Sequence, residues 1–219
     1  MDHPRGRRPR PPVPAVVDAL LRGDRTAARE ATSRFVAATG ATRAAVIADV
    51  LQPAQHEIGE LWYRGQIGVA EEHRATAIVE AVLEGLAPTP SSDPVAPGSR
   101  CLLATVGTEQ HRLGLRALEL ILEDDGWSVD HMSSPLPLSE LLRHACRERP
   151  DVVCLSAAYL PSLRDMQLAV GALKAERLRV MVGGPAFVRV PLLWKRVGAD
   201  AHAGDGRVAT VLMRRLLKA

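Results

Sequence analysis

The stretch Ala87 to Ser99, APTPSSDPVAPGS, constrains this chain more than any other feature. Its four prolines lack the amide hydrogen that helices and ladders use, and the serines and glycine around them favour turns. It therefore reads as a linker, and the residues on either side of it follow different periodicities.

Before the linker every apolar pattern is helical. Val13 to Leu21 carries apolar residues at helical spacing, and Asp24 is placed to cap a second helix running to about Ala38, stopped by Gly40. Thr42 caps a third, running to about Tyr63, with Ile47, Val50, Leu51, Ile58, Leu61 and Trp62 as its apolar residues. Pro53 falls inside it, so a kink or a division into two helices is expected. Gly65 breaks the pattern, and a fourth helix from about Val69 to Leu86 places Ala75, Ile78, Val79, Val82 and Leu83 on one face. Four helices with short connections predict an antiparallel bundle over residues 13–86.

After the linker, strands alternate with helices over residues 100–219. Strands are predicted at Cys101–Val106, Ser128–His131, Val152–Ser156, Val180–Val182 and Ala201–Ala203. Helices are predicted at Arg112–Asp125, Leu138–Glu148, Leu160–Glu176, Pro191–Val197 and Gly206–Lys218. Such alternation predicts a five-stranded, parallel, doubly wound sheet. The whole chain is thus α plus α/β: a four-helix bundle, then a flavodoxin- or Rossmann-like domain.

Composition excludes several classes. No apolar run approaches the roughly 18 residues a membrane span needs. The segment Met1 to Pro12 has arginines and prolines but no apolar core, so it reads as a disordered basic tail and not a secretory signal. Much of the net charge of +3 sits there, on Arg5, Arg7, Arg8 and Arg10. No basic stripe with interleaved aromatics follows, and aromatics make up only 3% of the chain, so direct nucleic-acid binding is not indicated. Cys101, Cys146 and Cys154 are odd in number and far apart, and read as small core residues of a cytoplasmic protein.

Three loops fall at the carboxyl ends of predicted strands, where open α/β sheets bind ligands. The first is Glu109-Gln110-His111-Arg112-Leu113-Gly114. An acid that accepts from one imidazole nitrogen fixes the tautomer and makes the other nitrogen a better metal donor. Gly114 leaves room for a flat ligand. The second is Ser156-Ala157-Ala158, where a serine can meet a buried polar tail beside small residues; a strand-end serine capping the next helix has the same appearance. The third is Gly183-Gly184-Pro185, which permits close backbone contact or forms a plain turn. No phosphate-cradling fingerprint is present. In the helical half, Trp62 and the pair Glu72-His73 flank the Gly65–Gly68 turn with Trp-x9-Glu-His spacing. Either they form a cluster, or Trp62 packs in the core while the pair faces water.

With these motifs on the page, the chain resembles the cobalamin-binding module shared by methionine synthase, corrinoid methyltransfer proteins and light-sensing regulators, over about Val13 to Leu217. The resemblance implies that His111 is the lower axial ligand of cobalt, matching the family's Asp-x-His-x-x-Gly loop with Glu109 as the acid and Gly114 as the glycine. It implies that Ser156 and Gly183-Gly184 line the nucleotide tail, with Ala158 where the family has leucine. The Trp-x9-Glu-His motif looks like that of adenosylcobalamin photoreceptors of the CarH and LitR type, in which these residues cover the upper face of the corrin around the adenosyl group. Trp62, Glu72 and His73 match it by spacing.

There are two departures. Those regulators carry a MerR-type DNA-binding domain ahead of the bundle, where here a short basic tail is read, so direct DNA binding is not expected. Tyr63 stands where the best-known members have a cobalt-ligating histidine, and His56 is a poor substitute. The resemblance implies a stand-alone cobalamin sensor, not an enzyme. Adenosylcobalamin is the expected form, with methylcobalamin or hydroxocobalamin as alternatives. Its partners would be a transcription regulator or other signalling protein, or a second copy of the chain in a homo-oligomer. The alternatives are the corrinoid protein of a methyltransferase system and a cobalamin carrier or availability sensor.

Overall fold

Each predicted helix of the amino-terminal half is present in the computed structural model, which describes residues 9–158, 163–190 and 192–218. Helix α1 spans Val13–Arg22 and α2 spans Arg25–Thr39, the latter capped by Asp24, whose carboxylate accepts from the Ala27 amide at 2.9 Å. Gly40 ends α2 at φ 64°, a left-handed conformation that side chains with a Cβ resist. Thr42 caps the next helix through Ala45, as its spacing predicts.

That stretch is divided just ahead of Pro53, as expected, and the division is a π-helical turn. α3 (Arg43–Val46) passes into a π-helical turn, Ile47–Leu51, and then into α4 (Gln52–Tyr63). The Gln52 amide bonds back to the Ile47 carbonyl, five residues away. Proline has no amide hydrogen and its ring crowds the carbonyl four residues earlier. One wider turn just ahead of Pro53 puts the proline in the first turn of α4, where no donor is needed. α5 (Val69–Glu84) completes the bundle. Val16, Leu20, Val50, Ile58, Ile78, Val82 and Leu83 are buried there, as the 3.6-residue periodicity requires.

The second unit contains β1 (Arg100–Thr105), α6 (Leu113–Asp124), β2 (Ser128–His131), α7 (Leu138–Glu148), β3 (Val152–Ser156), α8 (Leu163–Ala175), β4 (Arg179–Gly183), α9 (Pro185–Arg189), α10 (Leu193–Val197), β5 (Ala201–Ala203) and α11 (Gly206–Lys218). All pairings are parallel, in the order β2-β1-β3-β4-β5. Alternate strand residues face opposite layers. Cys101, Leu103, Val152, Cys154 and Met181 pack with α6 and α11, whereas Leu102, Ala104, Val153, Leu155, Val180 and Val182 pack with α7, α8 and the short helices. Burial on both faces is why these strands read as continuous apolar runs.

Three expectations shift, and three fall outside the described residues. Val106, predicted as strand, makes only an isolated bridge to Leu136. α9 lies where a loop was expected, because Pro185 at a first helical position is pre-organised for helix. The basic tail before Pro9, and the helix starts expected at Leu160 and Pro191, fall outside the described residues. The stretch from Ala87 to Ser99 has no helix or strand, and the division between the two compact units falls between Thr89 and Pro90. On the far side of that division the stretch is pinned to the second unit. Ser91 N–H bonds the Asp124 carbonyl at 2.7 Å, Val95 N–H bonds that of Asp125 at 2.8 Å, and Val95 itself is buried.

Candidate functional site

Strand order reverses between β1 and β3, which is where a doubly wound sheet opens a crevice at its carboxyl edge. The loop after β1 carries Glu109 and His111 to that point. Glu109 is 7% exposed, so an ionised carboxylate there must be saturated with donors. Its Oε1 accepts from the His111 amide at 2.9 Å and lies 2.5 Å from His111 Nδ1; its Oε2 accepts from the Ala158 amide at 2.7 Å. Because a carboxylate only accepts, Nδ1 carries the hydrogen, so in the neutral ring it is Nε2 that keeps the lone pair. The imidazole side chain is 61% exposed. A buried acid thus holds an exposed ring in the tautomer that can bind a metal. Ala158, expected only to leave space, also supplies the backbone donor that ties the β3 loop to the β1 loop.

Register places Thr105, Ser156, Gly183 and Ala203 side by side at the carboxyl ends of β1, β3, β4 and β5. Space requires a glycine at 184 and leaves little room for a side chain at 183. A Cβ on Gly183 would lie 3.2 Å from the Ala203 carbonyl oxygen. One on Gly184, whose φ is +95°, would lie 2.5 Å from that of Ala157 and 3.0 Å from Ser156 Oγ. The loops are stitched by Ala157 N–H to the Gly183 carbonyl and Ala186 N–H to the Ala157 carbonyl, at 3.1 and 3.2 Å. At Gly114, by contrast, an added Cβ meets nothing within 4 Å, so the space over the first turn of α6 is open.

Thr105 was not singled out by sequence. It is buried, and its Oγ1 has no hydrogen-bond partner among the described residues. A buried hydroxyl without a partner is uncommon and fits a polar group arriving from outside the chain. The only sequence signal is one polar residue inside the apolar run Cys101–Val106.

In the helical unit the polar cluster sorts into separate roles. Glu71 Oε2 accepts from the Gly68 amide at 2.9 Å and closes the start of α5. Glu72 turns the other way: its Oε1 accepts from Thr76 Oγ1 at 2.9 Å, and its Oε2 lies 3.6 Å from Nε2 of the exposed His73. Trp62 is not packed in the core; it is 37% exposed at the end of α4, beside exposed Tyr63. His56 lines a separate groove of about 410 Å³ with Val13, Pro53, Glu57, Glu60, Leu61 and Arg64.

The remaining candidates are structural. Cys101 and Cys154 are buried and unpaired, and burial, with the Asp130 and Glu119 carboxylates behind it, pushes the Cys101 thiol up to about 12. Burial likewise raises the Cys154 thiol, so both stay protonated and unreactive. Among the described residues no group of three or more His, Cys, Asp and Glu side chains is arranged to hold a metal ion. His111 and Glu109 form a pair and are not part of such a group. No helix among the described residues is long and apolar enough to cross a membrane.

A doubly wound sheet with an acid-held imidazole at its switch point, preceded by a helical unit, defines a ligand-binding class of α/β module. The chain belongs to the B12-binding domain family: one family model of that description matches residues 99–213 and a second matches residues 15–86. It is 31% identical over 160 residues to the HTH-type transcriptional repressor CarH of Myxococcus xanthus, covering 72% of this chain and 52% of the repressor. The chain thus spans about half the length of that relative. It is 24% identical over 178 residues to dimethylamine corrinoid protein 1 of Methanosarcina acetivorans, covering 78% of this chain and 82% of that protein. The structure of the Methanosarcina barkeri monomethylamine corrinoid protein has the same fold, with a TM-score of 0.76 at 17% identity over 92% of this chain and 96% of that one.

The residues present fit a cobalamin. His111 presents a mostly exposed imidazole, Gly114 leaves open space, and the Thr105 hydroxyl, without a partner among the described residues, stands beside Ser156 and the two side-chain-free glycines.

Proposed function

We propose that this protein is a cobalamin-binding sensor that responds to light through adenosylcobalamin and signals through a protein partner or a change in oligomeric state. The observation that carries the cobalamin assignment is the buried Glu109 carboxylate on His111 Nδ1, which would turn Nε2 toward a cobalt held by the corrin. Thr105, Ser156, Gly183 and Gly184 take the nucleotide tail. In the helical unit Trp62, Glu72 and His73 recognise the upper ligand. Bound there, adenosylcobalamin would supply a cobalt–carbon bond that absorbs visible light and breaks. The chain's own part is to hold the ring by His111 and to bind the upper group differently before and after its loss, since a ligand shifts only states it binds unequally. The identity to the CarH repressor and the partly exposed Trp62 support this reading.

A second reading has its own support. The dimethylamine corrinoid protein is matched over 82% of its length. On that reading His111 plays the same part and the protein carries a methyl group between partner enzymes.

One experiment separates the two. The protein is loaded in the dark with adenosylcobalamin or methylcobalamin, then illuminated with green light while absorption and hydrodynamic size are followed. The sensor reading expects preference for the adenosyl form and a light-driven change in spectrum and size. A spectrum indifferent to light, with methyl transfer to a co-purified methyltransferase, selects the second.

A further inference from the structure

Glu72 stands at the end of a hydrogen-bond chain that crosses between two helices. Gln55 on α4 donates from Nε2 to Thr76 Oγ1 on α5 at 2.6 Å, and Thr76 Oγ1 donates to Glu72 Oε1 at 2.9 Å. The direction of the chain is set by its end. An ionised carboxylate has no hydrogen to give, so the one hydroxyl hydrogen of Thr76 goes to Glu72, and the Thr76 lone pair accepts from the Gln55 amide. That orientation leaves Gln55 Oε1 buried and without a partner among the described residues. A buried, unpaired acceptor destabilises a fold and calls for an explanation. Glu71 does not share the arrangement, because it is occupied at the Gly68 amide. The Glu72 side chain is 21% exposed, and the oxygen Thr76 does not occupy is the one nearest His73.

We propose that Gln55 and Thr76 are positioning residues that hold Glu72 as an oriented acceptor, so that the helical unit favours an upper ligand with hydroxyl donors, such as a nucleoside ribose, over a plain alkyl group. This rests on the reading that Glu72 meets the upper ligand. Thr76 aligns the carboxylate along one oxygen and leaves the other for the ligand, while Gln55 keeps the Thr76 hydrogen from turning away. The unpaired Gln55 carbonyl is the cost of that orientation.

The test uses the full chain with Thr76→Val, Thr76→Ser and Gln55→Met. Dissociation constants for adenosylcobalamin and methylcobalamin are measured in the dark, together with the melting temperature of cofactor-free protein. Loss of one hydrogen bond to a charged group should cut the adenosyl preference of Thr76→Val by about tenfold, and Thr76→Ser should restore it. Gln55→Met should lower the same ratio by about threefold while leaving the cofactor-free melting temperature equal or higher, because it removes an unpaired buried acceptor. Selectivity and stability moving in opposite directions is something a merely structural pair cannot produce. An adenosyl preference unchanged in Thr76→Val and Gln55→Met, or one that falls only in step with melting temperature, overturns the positioning role alone. A wild-type protein with no adenosyl preference overturns the Glu72 assignment, and this proposal with it.

Discussion

One carboxylate does three jobs at Glu109: it fixes the His111 tautomer, satisfies the His111 amide, and binds the β3 loop through Ala158. Glu109→Gln keeps the shape but brings an amide NH2 against groups that already donate. We expect it to lower unfolding free energy by about 1–3 kcal/mol in cofactor-free protein, measured by urea denaturation. His111→Ala, by contrast, should leave stability within about 0.5 kcal/mol, since the ring is mostly exposed. Its bound cobalamin should lose the absorption spectrum of a histidine-ligated corrinoid; a retained spectrum would remove the axial assignment. The glycines separate packing from binding in the same way. Gly184→Ala combines a positive-φ backbone with a Cβ only 2.5 Å from the Ala157 carbonyl oxygen and should cost about 1–3 kcal/mol or more. Gly114→Ala meets open space, so it should leave cofactor-free stability unchanged while weakening cobalamin binding.

At the scale of elements, the π-helical turn absorbs Pro53. An interior helix proline costs about 3 kcal/mol, whereas one in a first turn costs little. Pro53→Ala should therefore change stability by less than about 1 kcal/mol by thermal denaturation; a gain near the full interior value would mean the turn is strained. β5 carries a pH dependence. His202 Nε2 is buried without a partner among the described residues, its ring lies 6.1 Å from that of Phe187 between centroids, and burial lowers its pKa below the ordinary imidazole value of 6.5. The unfolded chain then binds this proton at a higher pH than the folded one. The His202 contribution is complete above the unfolded pKa and is lost as pH falls from there through the lowered folded value. His202→Leu should flatten the stability–pH curve below pH 6.5 relative to wild type; parallel curves would exclude His202 as the titrating group.

At the scale of the whole molecule, the break between compact units at Thr89–Pro90 divides a stretch that sequence alone reads as uniform linker. Thr89 Oγ1 accepts from the Arg43 amide at 2.8 Å in the first unit. Beyond the break, Arg214 of α11 grips Asp93 and Asp125, and those carboxylates raise its pKa further. A fragment beginning at Pro90 therefore keeps its contacts and should unfold in a single cooperative transition; a fragment beginning at Arg100 loses the buried Val95 and the Asp93 contact and should melt at a lower temperature. A hinge placed between Ser91 and Ser99 would have to break these bonds, whereas one at Thr89–Pro90 would break none of them.

Local chemistry is what made so much legible. Apolar periodicity marked the helical unit and the buried strands, and the caps Asp24 and Thr42 and the stop at Gly40 act within a few residues of where they stand. The Glu109–His111 contact spans two positions and could be anticipated from spacing. What sequence could not decide is whatever depends on groups distant along the chain. The unpaired Thr105 hydroxyl is defined by what fails to reach it. Ala158 is a donor to Glu109 only because β1 and β3 are neighbours. The Gln55–Thr76–Glu72 chain exists only because α4 packs on α5. Hydrogen bonds fall off within ångströms, so one that joins residues far apart in the chain is settled by packing, whereas a cap or a period is settled by its immediate neighbours.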